Sequence, residues 1–203
     1  LNYGQWTVCP VNIQRDPRAR ALIFDLDGTL LDTMAVHKQA WQETALQYGI
    51  DVTDEVFSEF AGRTSFDVVD ILNRRFGTTM NADVVALAKD QAYVRHAPLV
   101  QPFPVVLEFL HAHLGSIPIA AATNESFGIS NIVLRATGLS SLFQVLVTAD
   151  EVAHPKPAPD IYLTCAERLG VSPAECQVFE DSSFGIEAAT AAGMIVTNVT
   201  PFL

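Results

Sequence analysis

Asp25 and Asp27 stand one residue apart at the end of a short apolar run, Ala21-Leu22-Ile23-Phe24-Asp25-Leu26-Asp27-Gly28-Thr29-Leu30. Carboxylates this close repel unless a cation or a shared proton offsets them. Hard oxygen donors of this kind suit Mg²⁺. A carboxylate can also attack phosphorus and divide one difficult displacement into two easier ones. A second could protonate the leaving oxygen and later deprotonate water, if its neighbours raise its pKa toward working pH. Glu180-Asp181 repeats the pattern after another apolar run, and two such runs side by side would cage a cation. A chance acidic turn explains either pair alone but explains both less well. Lys156 lies in His154-Pro155-Lys156-Pro157-Ala158-Pro159, where three prolines fix φ and stiffen the mounting of one ammonium. That charge could balance both the carboxylates and a phosphate. Thr123 and Asn124 end a third run, and each could donate a hydrogen bond to a phosphoryl oxygen. Taken alone, Thr123 reads as a helix N-cap.

The elements that would position these residues are short strands alternating with helices. Apolar runs at 21–24, Ile117–Ala122, Phe143–Val147, Gln177–Phe179 and Met194–Val199 read as strands, the first four ending in polar clusters. This order predicts βα units and a mostly parallel sheet. Side chains two apart on a strand share a face, so Asp25 and Asp27 are expected together at the strand's carboxyl end. That edge is where open α/β sheets bind ligands. Helices are expected after Pro104, after Ser126, from Pro159 to Gly170 and over Gly185–Ala192. Residues 34–98 hold no convincing strand. His37, Trp41 and Tyr48 share a helical stripe, Thr64 to Asp67 resembles a capping box, and Asn81 can cap a helix running to Pro98. The expectation is a three-layer, doubly wound α/β core of residues 18–33 and 99–203, with an inserted α-helical cap at 34–98. Residues 1–17 form an N-terminal extension without a usable motif.

Composition narrows the partners. The 203 residues carry a formal charge of −11 and no basic block, which argues against nucleic acid and acidic membranes. A bound cation can still reverse the field inside a cleft, so phosphate substrates stay open. Cys9, Cys165 and Cys176 have no metal-ligand spacing and read as thiols of a reducing cytosol. No apolar run reaches the roughly 20 residues of a membrane span, and no signal peptide is visible. A cytoplasmic monomer is the default expectation.

Four segments resemble, in order, the four motifs of the haloacid dehalogenase superfamily. Phe24-Asp25-Leu26-Asp27-Gly28-Thr29-Leu30-Leu31-Asp32-Thr33 resembles the first, Thr123 the second, Lys156 in Lys-Pro-Ala-Pro-Asp the third, and Phe179-Glu180-Asp181-Ser182 the fourth. The resemblance runs from about residue 20 to the C-terminus. It implies a Rossmann-like core and Mg²⁺ as cofactor. It implies Asp25 as nucleophile and metal ligand, and Asp27 as acid/base with its backbone carbonyl on the metal. Asp181 becomes a metal ligand supported by Glu180, and Thr123 and Lys156 hold the phosphoryl group. The insert resembles the helical cap of the β-phosphoglucomutase-like branch, where a hinge histidine matching His37 engages the acid/base aspartate. Taken alone, a lone helix histidine is more often structural.

Within that branch the chain is most similar to bacterial sugar-phosphate phosphatases, such as those acting on fructose 1-phosphate and 6-phosphogluconate. A sugar phosphomutase is the rival, since both reactions begin with an aspartyl phosphate. A mutase must grip a second phosphate with cap cations. Where the mutase cap has Gly-x-Ser-Arg, this chain reads Gly62-Arg63-Thr64-Ser65. Arg63 and Arg95 are the candidate substrate-facing cations, and either could be a solvated helix charge. Glu125 is expected to repel a second phosphate, which favours hydrolysis. Asp27 argues against dehalogenation, and cap lysines Lys38 and Lys89 lack the context for phosphonate cleavage. A non-catalytic phosphoryl- or Mg²⁺-binding domain is the reading from another class.

Overall fold

The computed structural model describes residues 12–203. The chain enters through β1 (Ala21–Phe24) and, after a tight turn, β2 (Leu31–Asp32). Four helices follow: α1 (Met34–Leu46), α2 (Asp54–Ser58), α3 (Ser65–Phe76) and α4 (Ala82–His96). The chain returns through β3 (Gln101–Pro102) and α5 (Pro104–His113). It then alternates β4 (Ile119–Ala122), α6 (Phe127–Ala136), β5 (Val145–Val147), α7 (Asp160–Leu169), β6 (Cys176–Glu180), α8 (Ser183–Ala191) and β7 (Ile195–Asn198).

Five strands form a parallel sheet in the order β5-β4-β1-β6-β7. Parallel sheets need apolar cover on both faces, and the period-two alternation supplies it. Leu22, Phe24, Ile119, Ala121 and Phe179 share one core with Leu110 of α5 and Val133 of α6. Ala21, Ile23, Ala120, Ala122 and Val178 share the other with Ile161 of α7 and Ala188 of α8. Phe24 stacks on Phe179 at 4.7 Å between ring centroids. The three-layer, doubly wound architecture is the one the sequence predicts. The strand order reverses at β1, so the carboxyl ends of β1, β4 and β6 surround the switch point where such sheets bind ligands.

The inserted helices pack on a core of their own, including Trp41, Val52, Phe60, Val69, Leu72 and Val85. Val36 and Ala40 of α1 and Ala92 and Tyr93 of α4 instead join the sheet-side core. The outgoing and returning chains are tied together, because β2 and β3 pair antiparallel through Leu31 with Pro102 and Asp32 with Gln101. Thr64 and Asp67 form the expected capping box, and Asn81 caps α4.

Several expectations are corrected. The strand ends at Phe24, so Asp25 and Asp27 lie in the turn beyond it and the pleat does not align them. A one-turn helix at Ser140–Leu142 delays β5 to Val145. Helix α2 and the β2–β3 pair are too short for periodicity to reveal. Tyr48 lies beyond α1, 40% exposed. Cys165 and Cys176 are buried free thiols, and Cys9 lies outside the described residues. Among the described residues no helix is long and apolar enough to cross a membrane.

Candidate active site

Asp25, 6% exposed, leaves β1 with its N–H bonded to the Phe179 carbonyl of β6. Lys156 comes up from the loop before α7, and its Nζ is fully committed. It donates to Asp25 Oδ1 at 2.6 Å, Glu180 Oε1 at 2.7 Å and the Ala122 carbonyl at 3.1 Å. Burial alone would lower the Lys156 pKa, but the Asp25 and Glu180 carboxylates outweigh it and keep the ammonium charged. Asn124 mounts the lysine: its Oδ1 accepts from the Lys156 N–H and its Nδ2 donates to the Lys156 carbonyl.

Glu180 is fully buried and saturated. Oε1 also accepts from Tyr162 Oη, and Oε2 accepts from the N–H groups of Asp181 and Ser182 and from Ser182 Oγ. The carboxylate thus braces the turn that leads into α8, whose N-cap is Ser182. Gly185 makes room for it, since a Cβ there would fall 1.6 Å from Glu180 Oε1.

Asp25, Glu180 and Asp181 each bring a carboxylate oxygen within 4.8 Å of the others. Burial first, and Glu180 second, push Asp25 well up and Asp181 up to about 6. Three carboxylates share one ammonium, a deficit that a divalent cation would fill. Asp181 also accepts from Thr29 Oγ1 at 2.8 Å, and a Cβ on Gly28 would lie 2.5 Å from its other oxygen. The donor set therefore suits Mg²⁺, with one refinement. Glu180's oxygens already hold five hydrogen bonds, which leaves Asp25 and Asp181 as the available carboxylates.

The Asp27 carboxylate lies outside that trio. It faces the inserted helices, with Oδ1 3.1 Å from His37 Nε2 of α1 and Oδ2 accepting from Thr123 Oγ1 at 3.2 Å. Burial pushes its pKa up, but the His37 contact, with Thr33 and the Lys89 charge, outweighs burial and holds it at about 2. The sequence-based expectation of a raised pKa is therefore corrected. Thr123 Oγ1 accepts from the Glu125 N–H, so it caps the loop as well as touching Asp27.

These groups line a cavity of about 260 Å³ between sheet edge and helices. Gly62 closes one side, its carbonyl accepting from Asn124 Nδ2 at 3.0 Å. Asn124's amide is therefore used in holding Gly62 and Lys156, contrary to the expectation that it donates to a phosphoryl oxygen. Arg63 lines the cavity, its guanidinium 4.8 Å above the Phe184 ring. Arg95 does not: it lies on the outer surface, bonded to Glu43 at 2.8 Å, and is corrected as a substrate-facing residue.

Glu125 follows Asn124 in the same loop. It is not a bare negative charge, because Lys89 of α4 donates to both its oxygens at 3.0 and 3.2 Å. Sequence reading missed this pair, Tyr162 and the fit of Gly185 over Glu180. Only the buried lysine carried a signal, as a charge amid the apolar positions of α4.

A family model described as haloacid dehalogenase-like hydrolase matches residues 22–199. The chain is 38% identical over 184 residues to a fructose-1-phosphate phosphatase of Escherichia coli, covering 90% of this chain and 97% of that one. It is 31% identical to a phosphorylated carbohydrates phosphatase of Thermotoga maritima, covering 86% and 82%. Among solved structures, β-phosphoglucomutase from Clostridium difficile superposes with a TM-score of 0.80 at 28% identity, covering 89% of this chain and 84% of that one.

Proposed function

The chain belongs to the haloacid dehalogenase-like hydrolases, and from that premise we propose that it hydrolyses a small sugar phosphate through an aspartyl phosphate on Asp25. One observation carries the reading: Asp25, held by the Lys156 ammonium, and Asp27, held by His37 and Thr123, line the same cavity under the inserted helices. The named activity of the Escherichia coli relative supports the substrate class.

Asp25 attacks phosphorus, the bond to the sugar oxygen breaks, and that oxygen takes the proton shared between His37 and Asp27, leaving the pair one proton short. The Asp27 carboxylate then accepts a proton from water as water attacks the aspartyl phosphate, which restores the proton shared with His37. The Asp25–phosphorus bond then breaks and inorganic phosphate leaves. Lys156 neutralises charge on Asp25 and the phosphoryl oxygens. Mg²⁺, held by Asp25 and Asp181 with Glu180 and Thr29 orienting them, would supply further neutralisation of that charge. The inserted helices, residues 34–98, serve as the lid over residues 18–33 and 99–203, hinged at the paired β2 and β3.

The test is phosphate release from fructose 1-phosphate, 6-phosphogluconate and β-glucose 1-phosphate with Mg²⁺ or chelator, the last also assayed for glucose 6-phosphate. Mg²⁺-dependent release supports the reading. Glucose 6-phosphate without phosphate release makes the enzyme a mutase and refutes it.

A further inference from the structure

Lys89 is a charge placed where charges are seldom found. It lies on α4, lines the reaction cavity and is 1% exposed. A buried ammonium needs anionic partners, and Lys89 has two. Glu125, in the loop after β4, accepts at 3.0 and 3.2 Å through its two oxygens, and Asp90 Oδ1 lies 3.6 Å away. The Tyr93 ring takes a third side at 5.2 Å. Burial would lower the Lys89 pKa, but Glu125 and Asp90 outweigh it and keep the ammonium charged. No proposed chemical step uses it.

The pair spans the two halves of the cavity. Glu125 follows Thr123 and Asn124, which touch Asp27 and Lys156 respectively, so the pair stands one residue beyond the groups around the scissile phosphate. The end of a substrate that reaches past the phosphoryl group meets a cation already neutralised. A hydroxyl can hydrogen-bond to such a pair without displacing either partner. A carboxylate or second phosphate must compete with Glu125 for Lys89 and leave two anions close together.

Resting on the phosphatase reading, we propose that the Glu125–Lys89 pair sets substrate class. It admits monophosphates whose remaining part is a neutral polyol and rejects those with an anionic far end. Glu125 does this by occupying Lys89, so that an anionic substrate end finds no free cation there.

The probes are sorbitol 6-phosphate and 6-phosphogluconate, which differ only in a hydroxymethyl against a carboxylate. Wild type is expected to favour the neutral one in kcat/KM. Glu125→Gln keeps the shape, removes the charge and leaves Lys89 only the more distant Asp90. The ratio for carboxylate over neutral substrate should rise about tenfold or more, mainly through KM. Lys89→Gln combined with Glu125→Gln should lose that gain. A ratio within one variant cancels any general loss of folding or turnover.

The same ratios measured as affinities by calorimetry, in an Asp25→Asn background, read the inference without turnover. An unchanged ratio in Glu125→Gln, or a gain that survives loss of Lys89, overturns it. If wild type releases phosphate from neither probe, nor from fructose 1-phosphate or β-glucose 1-phosphate, while the affinity ratio shifts as expected, the phosphatase reading fails and the selectivity stands. No binding of either probe to Asp25→Asn, with or without Glu125→Gln, overturns the inference.

Discussion

His37 Nε2 lies 3.1 Å from Asp27 Oδ1, which ties the first inserted helix to the acid in the turn after β1. His37 also lies against the Tyr93 ring, 4.4 Å between centroids, so α1 and α4 both hold it. The contact favours the ionised form of Asp27, and under the proposed mechanism the position of the helices becomes a condition for proton transfer. His37→Gln should lower kcat by about 100-fold, with little change in the thermal midpoint. Unchanged kcat in steady-state phosphate release would remove His37 from the proton path.

Lys156 is the positive centre of a buried network. Lys156→Met would leave Asp25 and Glu180 buried without their ammonium, a kind of loss that costs about 3–5 kcal/mol. Denaturant unfolding in chelator reads it directly. A loss under about 1 kcal/mol, within the range of an ordinary surface pair, would show that the network does not hold the fold together.

Two helical glycines give a matched contrast. A Cβ on Gly185 collides with the Glu180 carboxylate, whereas one on Gly128 meets nothing within 4 Å. Gly185→Ala should destabilise by about 1–3 kcal/mol or more. Gly128→Ala should be neutral or stabilising by up to about 1 kcal/mol. Equal midpoints for the two variants would mean that Glu180 can move aside at no cost.

What the sequence made legible follows from what local pattern encodes. The alternation of apolar runs and helical stripes, and the capping residues Thr64, Asn81 and Ser126, depend on near neighbours and hold in the structure. The sequence places Asp25 and Asp27 together for an inexact reason, since β1 stops one residue short of Asp25. The sequence misplaces Arg95 and hides the partner of Glu125, because an ion partner 52 or 36 residues away leaves no local trace. Tyr162 beneath Glu180 was invisible for the same reason.

Asp181 predicts a pH effect with a definite sign. Its folded pKa, pushed up by burial and then by Glu180, is about 6 against an ordinary value of 3.8. The folded state therefore holds this proton more tightly than the unfolded one. That stabilisation is complete below pH 3.8 and is lost as pH rises through about 6. In chelator, Asp181→Asn should remove part of the fall in thermal midpoint between pH 4 and 6.5 seen in wild type. Parallel profiles for the two proteins would contradict the assignment.

The measurement closest to the central claim is acid quenching during turnover, followed by mass spectrometry of the peptide containing Asp25. Phosphate release is followed in parallel for wild type and Asp25→Asn. Wild-type Asp25 is expected to carry a phosphoryl group only under Mg²⁺ and substrate, and a folded Asp25→Asn to show neither label nor turnover. Mg²⁺-dependent turnover by that variant, with deamidation excluded, or a label carried on another residue, would contradict the claim.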